Sequence, residues 1–108
     1  MDEKIAESIK EFAFSLEQLG IRVKRVVIFG SHATGKAEEH SDIDLAVISD
    51  DFKGTNIFGR LEIIGLALAR AKIMEPIEAL AYTEEEYDSR EQGTFIGDEV
   101  RSKGVQVL

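Results

Sequence analysis

At 108 residues and 44% hydrophobic content, the chain is long enough for one packed core, and a single domain over residues 1–108 is expected. A formal net charge of −8 with no basic cluster beyond Arg22-Val23-Lys24-Arg25 argues against gripping a long nucleic-acid template, and the lack of cysteine excludes disulfides, thiolate metal sites and cysteine nucleophiles. No run of 18 apolar residues offers a membrane span, and the acidic, amphipathic start MDEKIAESIK does not resemble a signal peptide, so a cytoplasmic location is expected.

Residues 3–19 read as an amphipathic helix. Ile5, Ile9, Phe12, Leu16 and Leu19 follow one another on one helical face, and Gly20 is the expected stop. Val23 to Phe29 reads as a strand whose continuous apolar end suits a central position covered on both faces. After Gly30-Ser31 comes a short helix, about His32 to Lys36, then a polar, acidic loop over Ala37–Ser41. Asp42 to Ile48 reads as the second strand, broken by Ser49-Asp50-Asp51. Asn56 to Ile73 reads as a second long helix, capped by Thr55 or Asn56, with an apolar stripe of Ile57, Leu61, Ile64, Leu68 and Ala71. Pro76 opens a third strand, Ile77 to Tyr82. Thr83 with Glu86 three positions on is a capping-box start for another helix. Residues 92–103 are expected to form a last helix despite Gly93 and Gly97, and Val105 to Leu108 a short terminal strand.

The chemistry concentrates between Gly30 and Asp44, GSHATGKAEEHSDID. In a strand, positions i and i+2 share a face, so Asp42 and Asp44 are expected to project together. Two carboxylates on one face repel unless a cation lies between them, and hard divalent cations take oxygen ligands. At the other end, Gly30 permits close backbone approach, Ser31 offers a hydroxyl, and N–H groups opening a helix favour an anion. One end therefore suits a phosphate and the other the metal that neutralises it. Glu78 is the only acid inside the third apolar strand, where alternation sets it with Leu80 and opposite Ile77 and Ala79.

Gly30-Ser31, ten residues, then Asp42-Ile43-Asp44, with apolar runs on both sides, resembles the signature of the DNA polymerase beta-like nucleotidyltransferase superfamily. The short chain is similar to its minimal nucleotidyltransferase (MNT) branch. The resemblance implies an α/β (α+β) nucleotidyltransferase fold, a small mixed central sheet with helices packed on it. It implies that Asp42, Asp44 and Glu78 are the catalytic carboxylates and hold two Mg²⁺ ions, and that Gly30 and Ser31 bind the phosphates of a nucleotide, ATP. The chain departs from the pattern where His32 and Thr34 stand at positions that are commonly basic; Lys36 is then the expected source of positive charge. The resemblance further implies a helical HEPN partner, as in HEPN/MNT toxin–antitoxin pairs, with AMP transferred to a tyrosine of the toxin. Self-association is a further expectation.

Two other readings are compatible with these residues. One is a non-catalytic antitoxin subunit that neutralises its partner by forming a complex. The other is a nucleotidyltransferase for a small hydroxylated molecule, in which a dimer would build the acceptor pocket.

Overall fold

In the computed structural model, residues 2–88, Val100 and residues 103–108 are described; most of the expected helix over 92–103 lies outside them. The first helix, α1, spans Glu3–Gln18. Asp2 caps it by accepting from Lys4 N at 2.7 Å. It ends in a Schellman arrangement: Gly20, at φ +91, donates to Glu17 O, and Ile21 donates to Leu16 O, each at 3.0 Å. The expected stripe is the buried one, with Ile9, Phe12 and Leu16 sealed against the sheet.

The sheet has four strands in the order β3-β2-β1-β4, where β1 is Arg25–Phe29, β2 Ile43–Ile48, β3 Ile77–Tyr82 and β4 Val105–Gln106. β1 pairs antiparallel with β2 and with β4, while β2 and β3 run parallel. Parallel neighbours need a crossover, and the helix α3, Ile57–Arg70, supplies it. The sheet is mixed, as the α+β expectation required. β1 lies between two strands and is covered on both faces, which accounts for its continuous apolar run. It starts at Arg25, two residues later than the apolar pattern suggested.

One sheet face carries Val26, Ile28, Ile43, Leu45, Val47, Ile77 and Ala79 into a core shared with α1 and α3. The opposite face carries Val27, Phe29, Ala46 and Ile48, packed with Tyr87 and Val100. Between the two long helices, the buried Ser15 hydroxyl donates to Ala67 O at 2.8 Å, satisfying a polar group that would otherwise be costly there.

Asn56 caps α3 by accepting from Gly59 N at 2.9 Å. The helix does not bury the stripe expected of it. Ile64 and Ala67 are sealed and Leu68 is half-buried, but Ile57 and Leu61 are exposed. The helix is rolled so that its first turn meets β3 through Arg60 instead. That guanidinium donates to the carbonyls of Thr55, Phe52 and Ala81, and to both Glu86 carboxylate oxygens, the shortest at 2.7 Å. The capping box forms as its spacing requires: Thr83 N donates to Glu86 Oε1 at 2.9 Å, and Glu86 N donates to Thr83 Oγ1 at 3.1 Å. It opens helix α4, Glu84–Asp88.

Candidate active site

The remaining helix, α2, is a single turn, Ser31–Thr34, between Gly30 and a left-handed Gly35. It follows β1 directly, so it hangs at the end of the sheet where β2 begins. Phe29, the last residue of β1, is the cross-strand partner of Asp44, and Asp44 is the register partner of Glu78 in β3. Phe29, Asp44 and Glu78 thus form a row across three strands, on the sheet face away from α1 and α3.

Gly30 has φ +71, a conformation that L side chains rarely adopt, and a Cβ there would run into Asp44 Oδ2. The glycine lets the chain turn while its backbone rests against the carboxylate. Gly30 O accepts from Ala33 N at 3.1 Å and Thr34 N at 3.2 Å, which fixes the turn. Ser31 is half-buried at the first position of α2. At one turn in length, α2 offers individual N–H groups rather than a developed helix dipole.

Asp42 lies one residue ahead of β2 and is exposed, so the strand alternation invoked for the Asp42/Asp44 pair does not hold it in place. It nevertheless acts on both other acids. The Glu78 carboxyl is pushed above its ordinary value, first by the charge of Asp42, then by desolvation and by Asp44. The Asp44 carboxyl is also raised, first by burial and then by Asp42, while His32 opposes the shift. A hydrogen bond between Asp44 and Glu78 holds the first down and the second up. Hard oxygen donors that repel one another when ionised fit a divalent cation such as Mg²⁺. Among the described residues, no three His, Cys, Asp or Glu side chains already form a tight metal cage.

The structure brings Gly30, Ser31, Asp42, Asp44 and Glu78 to one end of the sheet. Lys36 is exposed beyond Gly35, its N–H donating to Ser31 O at 3.0 Å, and it is not among the groups shifting Asp44 or Glu78. The Nε2 of His32 lies 3.4 Å from Ser41 O, the carbonyl just before Asp42, and the charge of His32 acts on Asp44. The sequence signals for that role were its position next to Ser31 and its place at a commonly basic position of the pattern. Sequence reasoning missed the apolar wall altogether. A cavity of about 480 Å³ is lined by Asp44 and Glu78 together with Phe29, Leu61, Ile64 and Leu80. Its α3 contribution comes from a helix whose roll no periodicity reveals.

A family of known proteins matches this arrangement. The nucleotidyltransferase domain family matches residues 8–100, nearly the whole chain, and the chain belongs to that family. Over 45 residues it is 40% identical to MJ0604 of Methanocaldococcus jannaschii, assigned as a protein adenylyltransferase; the match covers 41% of this chain and 45% of that protein. The aligned stretch is thus under half of that relative's length. The fold is similar to that of a Sulfolobus solfataricus protein assigned as a nucleotidyltransferase, with TM-score 0.57 and 21% identity over 98% of this chain and 86% of the other. It is also similar to a chain of a toxin–antitoxin crystallised with AMP-PNP, with TM-score 0.59 and 19% identity over 95% and 72%. Among the described residues, no helix is long and apolar enough to cross a membrane.

Proposed function

We propose that this chain transfers AMP from ATP to a hydroxyl of a partner protein, a tyrosine of a HEPN toxin, and so acts as its antitoxin in the cytoplasm. The observation that carries this reading is the register that sets Asp44 beside Glu78, with Asp42 acting on both and Gly30 turned against Asp44. Three converging acids are costly in a fold and have no use in a pure binding surface. The name of MJ0604 and the AMP-PNP bound by the toxin–antitoxin neighbour agree in direction with an adenylyl donor and a protein acceptor.

Asp42, Asp44 and Glu78 would hold Mg²⁺, which when bound neutralises the triphosphate and the charge that develops on the transferred phosphoryl group. The Gly30-Ser31 turn orients the phosphates with backbone N–H groups and the Ser31 hydroxyl. Glu78, whose carboxyl its neighbours push up, receives the proton of the attacking hydroxyl. The acceptor oxygen bonds to the α-phosphorus, the bond from that phosphorus to the bridging oxygen breaks, and pyrophosphate leaves.

The test is incubation of the purified chain with ATP, Mg²⁺ and the protein encoded beside it, followed by intact-mass analysis of both. A gain of one or more AMP units on the neighbour, absent with Asp44→Asn, supports the reading. A stable complex without any gain points to an antitoxin that acts by contact alone. Neither gain nor complex points to a small-molecule acceptor.

A further inference from the structure

α3 is a helix with two apolar sides, and among the described residues only one of them is covered. Ile64 and Ala67 face the core, yet Ile57 is 63% exposed, Phe58 76%, Leu61 48% and Leu66 53%. At 100° per residue these four, with Gly65 and Ala69, span one half of the helix, interrupted only by Glu62. Scattered exposed leucines need no explanation, but a contiguous apolar helix face on a chain this charged does. The face is not isolated from the chemistry. Leu61 and Ile64 line the cavity that contains Asp44 and Glu78, and the same two residues line a second cavity of about 480 Å³ that continues along β3 to Ile57 and Arg60. An apolar track therefore leads from the outside of α3 to the acids.

Charge decides what covers it. Asp44, Glu78 and Glu86 line the track, Glu62 interrupts the helix face beside it, and the one cation among the described residues lining it, Arg60, is already held by Glu86. A second copy would bring the same acids to the same rim and a further −8 of net charge, since a two-fold contact sets like patches against each other. A segment with lysine or arginine beside its apolar residues meets no such repulsion.

We propose that the outward face of α3, from Phe58 through Leu61 into the cavity walled by Asp44 and Glu78, is the docking surface for the protein acceptor. The acceptor meets it with an apolar segment flanked by basic residues and delivers its hydroxyl oxygen to the α-phosphorus beside Glu78, with pyrophosphate leaving. This rests on the transfer reaction proposed above.

Steady-state transfer to the neighbour protein tests it, with Phe58→Glu and Leu61→Glu compared against Phe14→Glu. Phe14 is 55% exposed on α1, at a separate surface, and its variant controls for added charge. Expected are a KM for the acceptor raised at least tenfold by Phe58→Glu and Leu61→Glu, a KM for ATP within twofold for Phe58→Glu, and no change with Phe14→Glu. Phe58→Ala, which adds no charge, should raise the acceptor KM by a smaller factor, and rising salt should raise it for the wild type. An unchanged acceptor KM in both α3 variants overturns the docking surface, as does an equal loss with Phe14→Glu. A wild-type homodimer that Phe58→Glu dissociates would assign the face to a second copy and also overturns it. A wild type that transfers nothing fails earlier, at the reaction itself, and takes the docking surface with it.

Discussion

Replacing Gly30 by alanine puts a methyl group against the Asp44 carboxylate and a side chain on backbone at φ +71. Both effects act in the same direction, and Gly30→Ala should cost about 1–3 kcal/mol in urea unfolding, with transfer impaired beyond what the stability loss explains. Asp44→Asn should do the reverse to the metal-free fold. Asp44 and Glu78 are both raised above their ordinary values, so the folded chain keeps protons that the unfolded chain has released. Such groups favour the fold at low pH, and that contribution is lost as pH rises through their folded values. In metal-free buffer at pH 7, Asp44→Asn should therefore melt a few degrees above wild type, the gap closing toward about pH 4. Transfer by the same variant should fall by about 100-fold or more, in intact-mass time courses with Mg²⁺. A variant that loses transfer while gaining stability would separate a functional acid from a structural one. The acids were legible in the sequence because Asp42-Ile43-Asp44 stands at a fixed distance from Gly30-Ser31. What the spacing did not supply was the means: Asp42 lies outside β2 and reaches its neighbours from the preceding loop.

At the level of elements, Arg60 joins what the chain keeps apart. It ties the first turn of α3 to the carbonyl of Phe52 in the 3-10 turn Asp50–Phe52, to β3 at Ala81 and to α4 at Glu86. Arg60→Ala leaves those acceptors without their donor and should cost about 2–4 kcal/mol in denaturant unfolding. Its partner Glu86 has the opposite pH sign from the active-site acids. Glu86 is held below its ordinary value, chiefly by the hydrogen bond from Arg60, so its contribution is present above the unfolded value and lost as pH falls through the folded one. Below about pH 4, wild type should lose its advantage over Glu86→Gln in thermal melts. The capping box was readable because it is local, four residues long and governed by a side chain bonding its own neighbours. The roll of α3 was not. Its apolar residues fill both sides of the helix, so periodicity selects no single buried stripe, and the anchoring of Arg60 at β3 settles which side turns inward.

Across the whole molecule, two apolar layers lie on the two faces of one sheet, and the acids stand at the end of the second layer. Leu16 is fully buried in the larger one, between α1 and the sheet. Leu16→Ala should cost about 2–5 kcal/mol of unfolding free energy, with the KM for ATP unchanged while the fold persists, because Leu16 packs under α1 and does not line the cavity of Asp44 and Glu78. Net charge of −8 acts at this scale too, setting the chain against polyanions and toward basic partners.

By itself the sequence determined the strands, the long helices, the Gly20 stop, the Asn56 cap and the capping box, because each depends on near neighbours: alternation, helical spacing, a side chain bonding the turn beside it. Only the tertiary structure decided that β2 and β3 run parallel in the register that sets Asp44 beside Glu78, that the charge of His32 acts on Asp44, and that α3 leaves Ile57, Phe58, Leu61 and Leu66 exposed. Those outcomes depend on which faces pack together across the chain, and packing is a contest among many apolar side chains that no local pattern resolves.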